Sequence, residues 1–261
     1  MRNILAVYDR EIKSYFVSPV FYILATVFLL TVGNNFKDTF FSFATQTINE
    51  LMRATNYGIE VSLINVNNVA STMFSFMDYI FILITPLLTM RLYAEEKKNG
   101  TMELLMTSPI TTSQVLFGKF FSCLTIYSIM MLLTVAFNIF MMVHSGYKLD
   151  LAPVLSSYLG TFLLGATLIS IGMFFSSLTE NQIVAAALTL TFIMGLWLLV
   201  YTSRFIAEPF NLLLRYISLA DHLDSFTLGY IGIKHIVYYL SMTTFWLFLT
   251  GISIESARWR Q

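Results

Sequence analysis

The chain has 261 residues, of which 57% are hydrophobic, 16% aromatic and 11% charged, and fifteen basic side chains balance fifteen acidic ones. With a mean hydropathy of +0.72 it falls among integral membrane proteins and outside the range of soluble enzymes. The neutral balance removes any global electrostatic argument for nucleic acid, and the single cysteine, Cys123, excludes an intramolecular disulfide framework and a cysteine-only metal site.

The first eighteen residues carry Arg2, Asp9, Arg10, Glu11 and Lys13, and Ile4, Tyr8 and Ile12 recur every four positions with Leu5 and Phe16 beside them. Such a stripe predicts an amphipathic helix in the membrane interface, the alternative being a solvated tail. The first apolar run ends in Gly33-Asn34-Asn35 without a small-residue cleavage site, so it is expected to stay as an anchor.

Six apolar runs predict six membrane-spanning helices, at about 19–32, 76–90, 115–143, 154–175, 183–201 and 233–254. Helices are required because lipid-facing backbone must satisfy its own hydrogen bonds, and the runs lack the alternation of barrel strands. Ser18-Pro19 reads as a cap and first turn for the first run, and Pro86 as a kink in the second. The segment 33–75, rich in Asn and mixed in polarity, reads as short structure or an interfacial hairpin on the outer side. Arg2, Arg10, Lys13, Arg91, Lys97, Lys98, Lys119, Arg258 and Arg260 fall on one side, against six basic residues on the other. That bias places both termini and the 91–119 segment in the cytoplasm.

Segment 91–119 is charged and punctuated between two apolar runs. Arg91 is expected to snorkel to headgroups, Asn99-Gly100 to end a helix, and Thr101 to cap a short one over Met102–Met106 that offers apolar side chains to a partner. Thr111-Thr112-Ser113-Gln114 matches a capping box opening the third span. An amphipathic hairpin lying on the membrane is the alternative reading of the whole segment.

The run R-x-x-A-E-E-K-x-x-G-T-x-E-L-L-x-x-x-P-I from Arg91 to Ile110, followed by Gly118-Lys119, resembles the signature of type-2 ABC transporter permeases. The likeness is closest to the branch holding the gliding-motility permease GldF and the nitrous-oxide-reductase maturation permease NosY. The opening Asp9-Arg10-Glu11, with Lys13, Tyr15-Phe16 and Ser18-Pro19, is similar to that branch, as are Ser176–Gln182 and the tail from Ile254 to Arg260. The resemblance implies an all-α, six-span permease domain over residues 1–261, with an N-terminal elbow helix and a short cytoplasmic coupling helix in the 91–114 segment. It implies ATPase coupling through Glu95, Glu96, Gly100, Thr101, Glu103, Leu104 and Pro109, with Glu180 near the same face. The implied partners are separate ABC ATPase subunits, a second permease copy (identical or related) and membrane lipid. The implied setting is a bacterial inner membrane, and the direction export. ATP and Mg would reside on the partner ATPase, with no cofactor or metal on this chain. Independently of the resemblance, Gly118-Lys119 is followed by Phe120 and preceded five positions earlier by Ser113, so no Walker A loop is present. Use of the same motion in gliding motility or cofactor maturation, or a scaffold or receptor without an ATPase, are the alternatives.

Other candidates carry less. Asp78, near the start of the second run, is either an intramembrane functional acid or an interfacial one. Asp221-His222-Leu223-Asp224 reads as a metal or proton-relay cluster or, preferably, as a solvated rim or interfacial helix. Gly160, Gly165 and Gly172, with Ala166, Ser170 and Ser176, give the fourth span a small-residue side for close packing within or between subunits.

Overall fold

The computed structural model describes residues 2–57, 67–102, 110–144 and 150–258. Every long element among them is helical, as expected for an all-α integral membrane protein, and six helical segments are long and apolar enough to cross a bilayer. In chain order the helices are α1 (Arg2–Val17), α2 (Pro19–Tyr57), α3 (Asn67–Thr89), α4 (Arg91–Lys98), α5 (Thr112–Leu133), α6 (Val135–His144), α7 (Leu151–Leu178), α8 (Gln182–Thr202), α9 (Phe210–Ile217), α10 (Leu219–Thr227) and α11 (Ile233–Arg258).

α2 corrects the expected end of the first span. Its 39 residues run through Gly33-Asn34-Asn35 and on past residue 50, giving about 57 Å of helix against a hydrocarbon core of about 30 Å. Polarity at this point marks the exit from hydrocarbon, not the end of the helix. Phe36 and Phe40 keep the segment anchored by packing on Phe137 and Phe140 of α6. Hydroxyls at Thr39, Ser42 and Thr45 bond carbonyls four residues back, which satisfies them within the helix but does not itself favour it. The hairpin expected over 33–75 is therefore replaced, as far as residue 57 and again from 67, by two long helices.

The second span also starts earlier, at Asn67, with Pro86 inside α3 and an interruption at Met90 before α4. The third is interrupted at Thr134. There the Thr134 hydroxyl donates to Met131 O at 2.6 Å and meets the Tyr158 hydroxyl at 3.1 Å.

α7 is the hub. It packs on α3, α4, α5, α8, α10 and α11, and its small residues fix how closely they approach. A Cβ on Gly165 would stand 2.3 Å from the Tyr127 ring, and one on Gly172 would stand 2.1 Å from Thr89 Oγ1. The small-residue side of the fourth span is therefore a packing device within this chain. α2, α8 and α11 ring the hub and turn Ile23, Leu30, Ile183, Leu198, Leu240 and Phe248 outward, as helices facing lipid do.

Candidate functional site

Two ends of the bundle differ in chemistry. At the distal end, α10 covers α7 and α9 lies against α8. Asp221 pairs with Arg215 at 2.9 Å, and His222 is buried beside the Tyr238 ring at 3.8 Å and the His235 ring at 5.0 Å. The Asp221–Asp224 cluster thus lies on a helix, but its histidine and Leu223 face the core and not a solvated rim. No group of three ligand-type side chains that could hold a metal occurs among the described residues. Asp78 sits inside the bundle, 0% exposed, with Oδ1 accepting from Thr161 Oγ1 at 2.8 Å, so the interfacial reading of it fails.

The basal end gathers α1, α4, the start of α5, the α7–α8 turn and the end of α11. α1 is amphipathic, but its packing face is Ile4, Val7, Tyr8, Glu11 and Tyr15; Leu5 and Phe16, assigned to that stripe by spacing, are exposed. α1 lies directly on α5. A Cβ on Gly118 would meet Val7 Cβ at 2.8 Å, Tyr8 Oη reaches Thr125 Oγ1 at 3.1 Å, and Asn3 donates to Gln114 at 3.3 Å.

At the centre of this end is an ion network. Lys119, only 1% exposed, places Nζ 3.0 Å from Glu11 Oε1 and 2.9 Å from Glu96 Oε1, and Arg10 reaches the same two oxygens at 2.8 Å each. Two cations and two carboxylates thus join α1, α4 and α5. Burial pushes the Glu11 carboxyl upward, but Lys119 and then Arg10 outweigh it and hold the group below its ordinary range. Such a network contributes little net stability over an apolar packing of the same volume, yet removing one member leaves an uncompensated buried charge. Its effect is to fix where α1 and α4 sit on α5.

α4 is held from a second side. Its N-cap, Met90, has no side-chain cap, and the missing acceptor comes from α7. Ser176 Oγ accepts from the N–H groups of Tyr93 and Ala94 at 3.1 and 3.2 Å and donates to Met90 O at 2.8 Å. Lys97 Nζ donates to Ser177 O, and Ser177 Oγ meets Ser253 Oγ of α11 at 2.9 Å. Tyr15 Oη donates to Leu88 O at 2.8 Å, and the Arg91 guanidinium lies 4.1 Å over the Tyr15 ring.

Beyond α4 the chain turns as the sequence suggests. Asn99 is the C-cap, and Gly100 takes φ +68°, a left-handed conformation that glycine adopts without a Cβ penalty. Glu95, Gly100, Thr101 and Glu180 are exposed at this end, while Glu96 is turned into the network. Met102 is buried in the core instead of being offered outward. Glu103, Leu104 and Pro109, with most of the expected short helix, lie outside the described residues. α5 opens through the expected capping box, Thr111 accepting from Gln114 N and Gln114 bonding back to Thr111 N.

Sequence reading put Lys119, Glu11 and Ser176 near this end but did not pair Lys119 with Glu11 and Glu96, or Ser176 with the start of α4. A lone lysine inside an apolar run is a signal that a buried partner exists, but only the fold says which. No curated protein matches the chain. The family model described as ABC-2 family transporter protein matches residues 5–250, nearly the whole of it. The chain belongs to that family, and is accordingly a membrane permease component of an ABC transporter.

Proposed function

We propose that this permease couples to a separate ATPase subunit through the 91–114 segment, with the basal end and both termini in the cytoplasm of a bacterial cell and the spans in its inner membrane. A second permease copy completes the pathway, the ATP and Mg reside on the ATPase, and the direction is export. One observation carries the reading: α4 and the turn after it, which expose Glu95, Gly100 and Thr101, are fastened to three separate parts of the bundle, α1, α5 and α7. A push on α4 is then transmitted to those helices together, as a rigid-body movement of packed elements. Bundle interiors packed this closely repack between discrete states and do not deform smoothly.

The test is purification of the tagged chain from its native membrane in mild detergent, followed by assay of ATP hydrolysis. A co-eluting subunit carrying a Walker A loop is expected. Gly100→Val, which forces a β-branched residue into the left-handed region at a cost of about 1–2 kcal/mol, should uncouple hydrolysis from transport while membrane insertion persists. Elution without any ATPase, or full coupling in Gly100→Val, would refute the docking assignment.

A further inference from the structure

Between α5 and α11 lies a groove of about 420 Å³ that opens sideways at the basal end. Its walls are Leu116 and Phe117 of α5 and Leu247, Phe248 and Ile252 of α11, and Gly251 keeps its floor open. A Cβ there would find only Leu116 Cδ1, at 3.9 Å. Thr112, Ser113 and Glu255 line the basal mouth. The Glu255 carboxylate is exposed and has no ion-pair or hydrogen-bond partner among the described residues.

Dimensions select the occupant. From Thr244 to Glu255 the groove follows α11 for about 16 Å, the depth of one leaflet of a hydrocarbon core roughly 30 Å thick. That length and the apolar walls match a single hydrocarbon chain of one leaflet. Depth, mouth and charge then agree: the polar mouth stands at the basal end of the spans, where headgroups lie, and presents a carboxylate. The hydroxyls of Thr112 and Ser113, in the first turn of α5 where backbone N–H groups lack intrahelical acceptors, supply donors for a phosphate.

We propose that this groove holds one acyl chain of a basal-leaflet phospholipid whose headgroup carries a primary ammonium, and that Glu255 receives that ammonium. Glu255 equally repels a purely anionic headgroup, so the site discriminates among lipids of the surrounding bilayer and is not a generic greasy surface. The inference rests on the spans and the groove alone, and stands or falls independently of the ATPase reading.

The probes are phosphatidylethanolamine and phosphatidylglycerol with identical acyl chains, mixed equally and added to the delipidated full-length protein, with retained lipid counted by native mass spectrometry. Retention of the ethanolamine lipid should exceed that of the glycerol lipid about fivefold, the ratio an exposed ion pair at the strong end of its range supports. Glu255→Gln should bring the ratio close to one without abolishing retention, and Gly251→Phe, which fills the floor, should reduce retention of both lipids. Equal retention by the unaltered protein, a ratio unchanged by Glu255→Gln, or retention unchanged by Gly251→Phe would overturn the proposal. A groove occupied by a second copy of the chain with no lipid retained would overturn it too. Should Gly251→Phe fail to fold, the Glu255→Gln ratio decides alone, because that side chain is exposed.

Discussion

Replacing Lys119 by methionine probes the ion network directly, because methionine keeps most of the stem and deletes only the charge. In the native arrangement Lys119 faces two carboxylate oxygens at 3.0 and 2.9 Å and is 1% exposed, whereas Arg10, the other cation, is 52% exposed. Removing one partner of a buried pair costs about 3–5 kcal/mol. Arg10 still neutralises part of the remaining charge, which points to the lower end, about 3 kcal/mol. Thermal unfolding in mild detergent should fall by roughly 6–12 °C, at 2–4 °C per kcal/mol for a chain near this size. Adding Glu11→Gln and Glu96→Gln to Lys119→Met removes the uncompensated charges, and should return the protein to within about 1 kcal/mol of the unaltered one. A shift below 1 °C for Lys119→Met, or a triple variant no more stable than the single one, would refute the reasoning.

Three further outcomes follow from the same geometry. Ser176→Ala removes the acceptor for two α4 amides, which should cost about 1–3 kcal/mol and speed hydrogen exchange at residues 90–98 selectively. Gly172→Ala places a Cβ 2.1 Å from Thr89 Oγ1 and 2.7 Å from Thr89 Cβ, so it should destabilise by about 1–3 kcal/mol, and adding Thr89→Ala, which leaves that Cβ in place, should recover only part of that in thermal unfolding. Burial, with the charges of His235 and Lys234, lowers the His222 imidazole from 6.5 to about 4 against a smaller opposing pull from Asp221. The folded protein therefore keeps His222 neutral while the unfolded chain takes up a proton below pH 6.5. The stability contributed is full above pH 6.5 and is lost as pH falls toward 4. Glu11, lowered from 4.5, acts only below that value, and burial lowers His235 from 6.5 as well, so the window between pH 6.5 and 4.5 reports the two histidines together and the His222 share is read by difference. There, His222→Phe should flatten the stability–pH slope, with the aromatic stack on Tyr238 preserved.

Much of the architecture was legible because the physics behind it is local. Apolar runs mark spans, Thr111 and Gln114 close a capping box through their own backbone, and Gly100 takes the conformation that a helix stop requires. What was not legible depends on partners far along the chain. Lys119 meets Glu11 across 108 positions, and Ser176 caps α4 from 83 positions away. The continuation of α2 past Gly33 failed for another reason: loss of hydrophobicity was equated with loss of helix, whereas aromatic packing on α6 carries the helix onward. Leu5 and Phe16 lie on the wrong face for the same sort of reason. Hydrophobic spacing alone does not say which face meets protein and which meets lipid.

The central claim is that the basal 91–114 segment docks an ATPase. In a Cys123→Ser background, single cysteines placed by Glu95→Cys and Thr101→Cys should form disulfide or short-linker adducts with an ATPase subunit in native membranes, and should resist impermeant thiol reagents added outside intact cells. Thr55→Cys, exposed on α2 at the opposite end, should label from outside and give no such adduct. External labelling at Glu95→Cys and Thr101→Cys, or an ATPase adduct from Thr55→Cys in their place, would contradict the account.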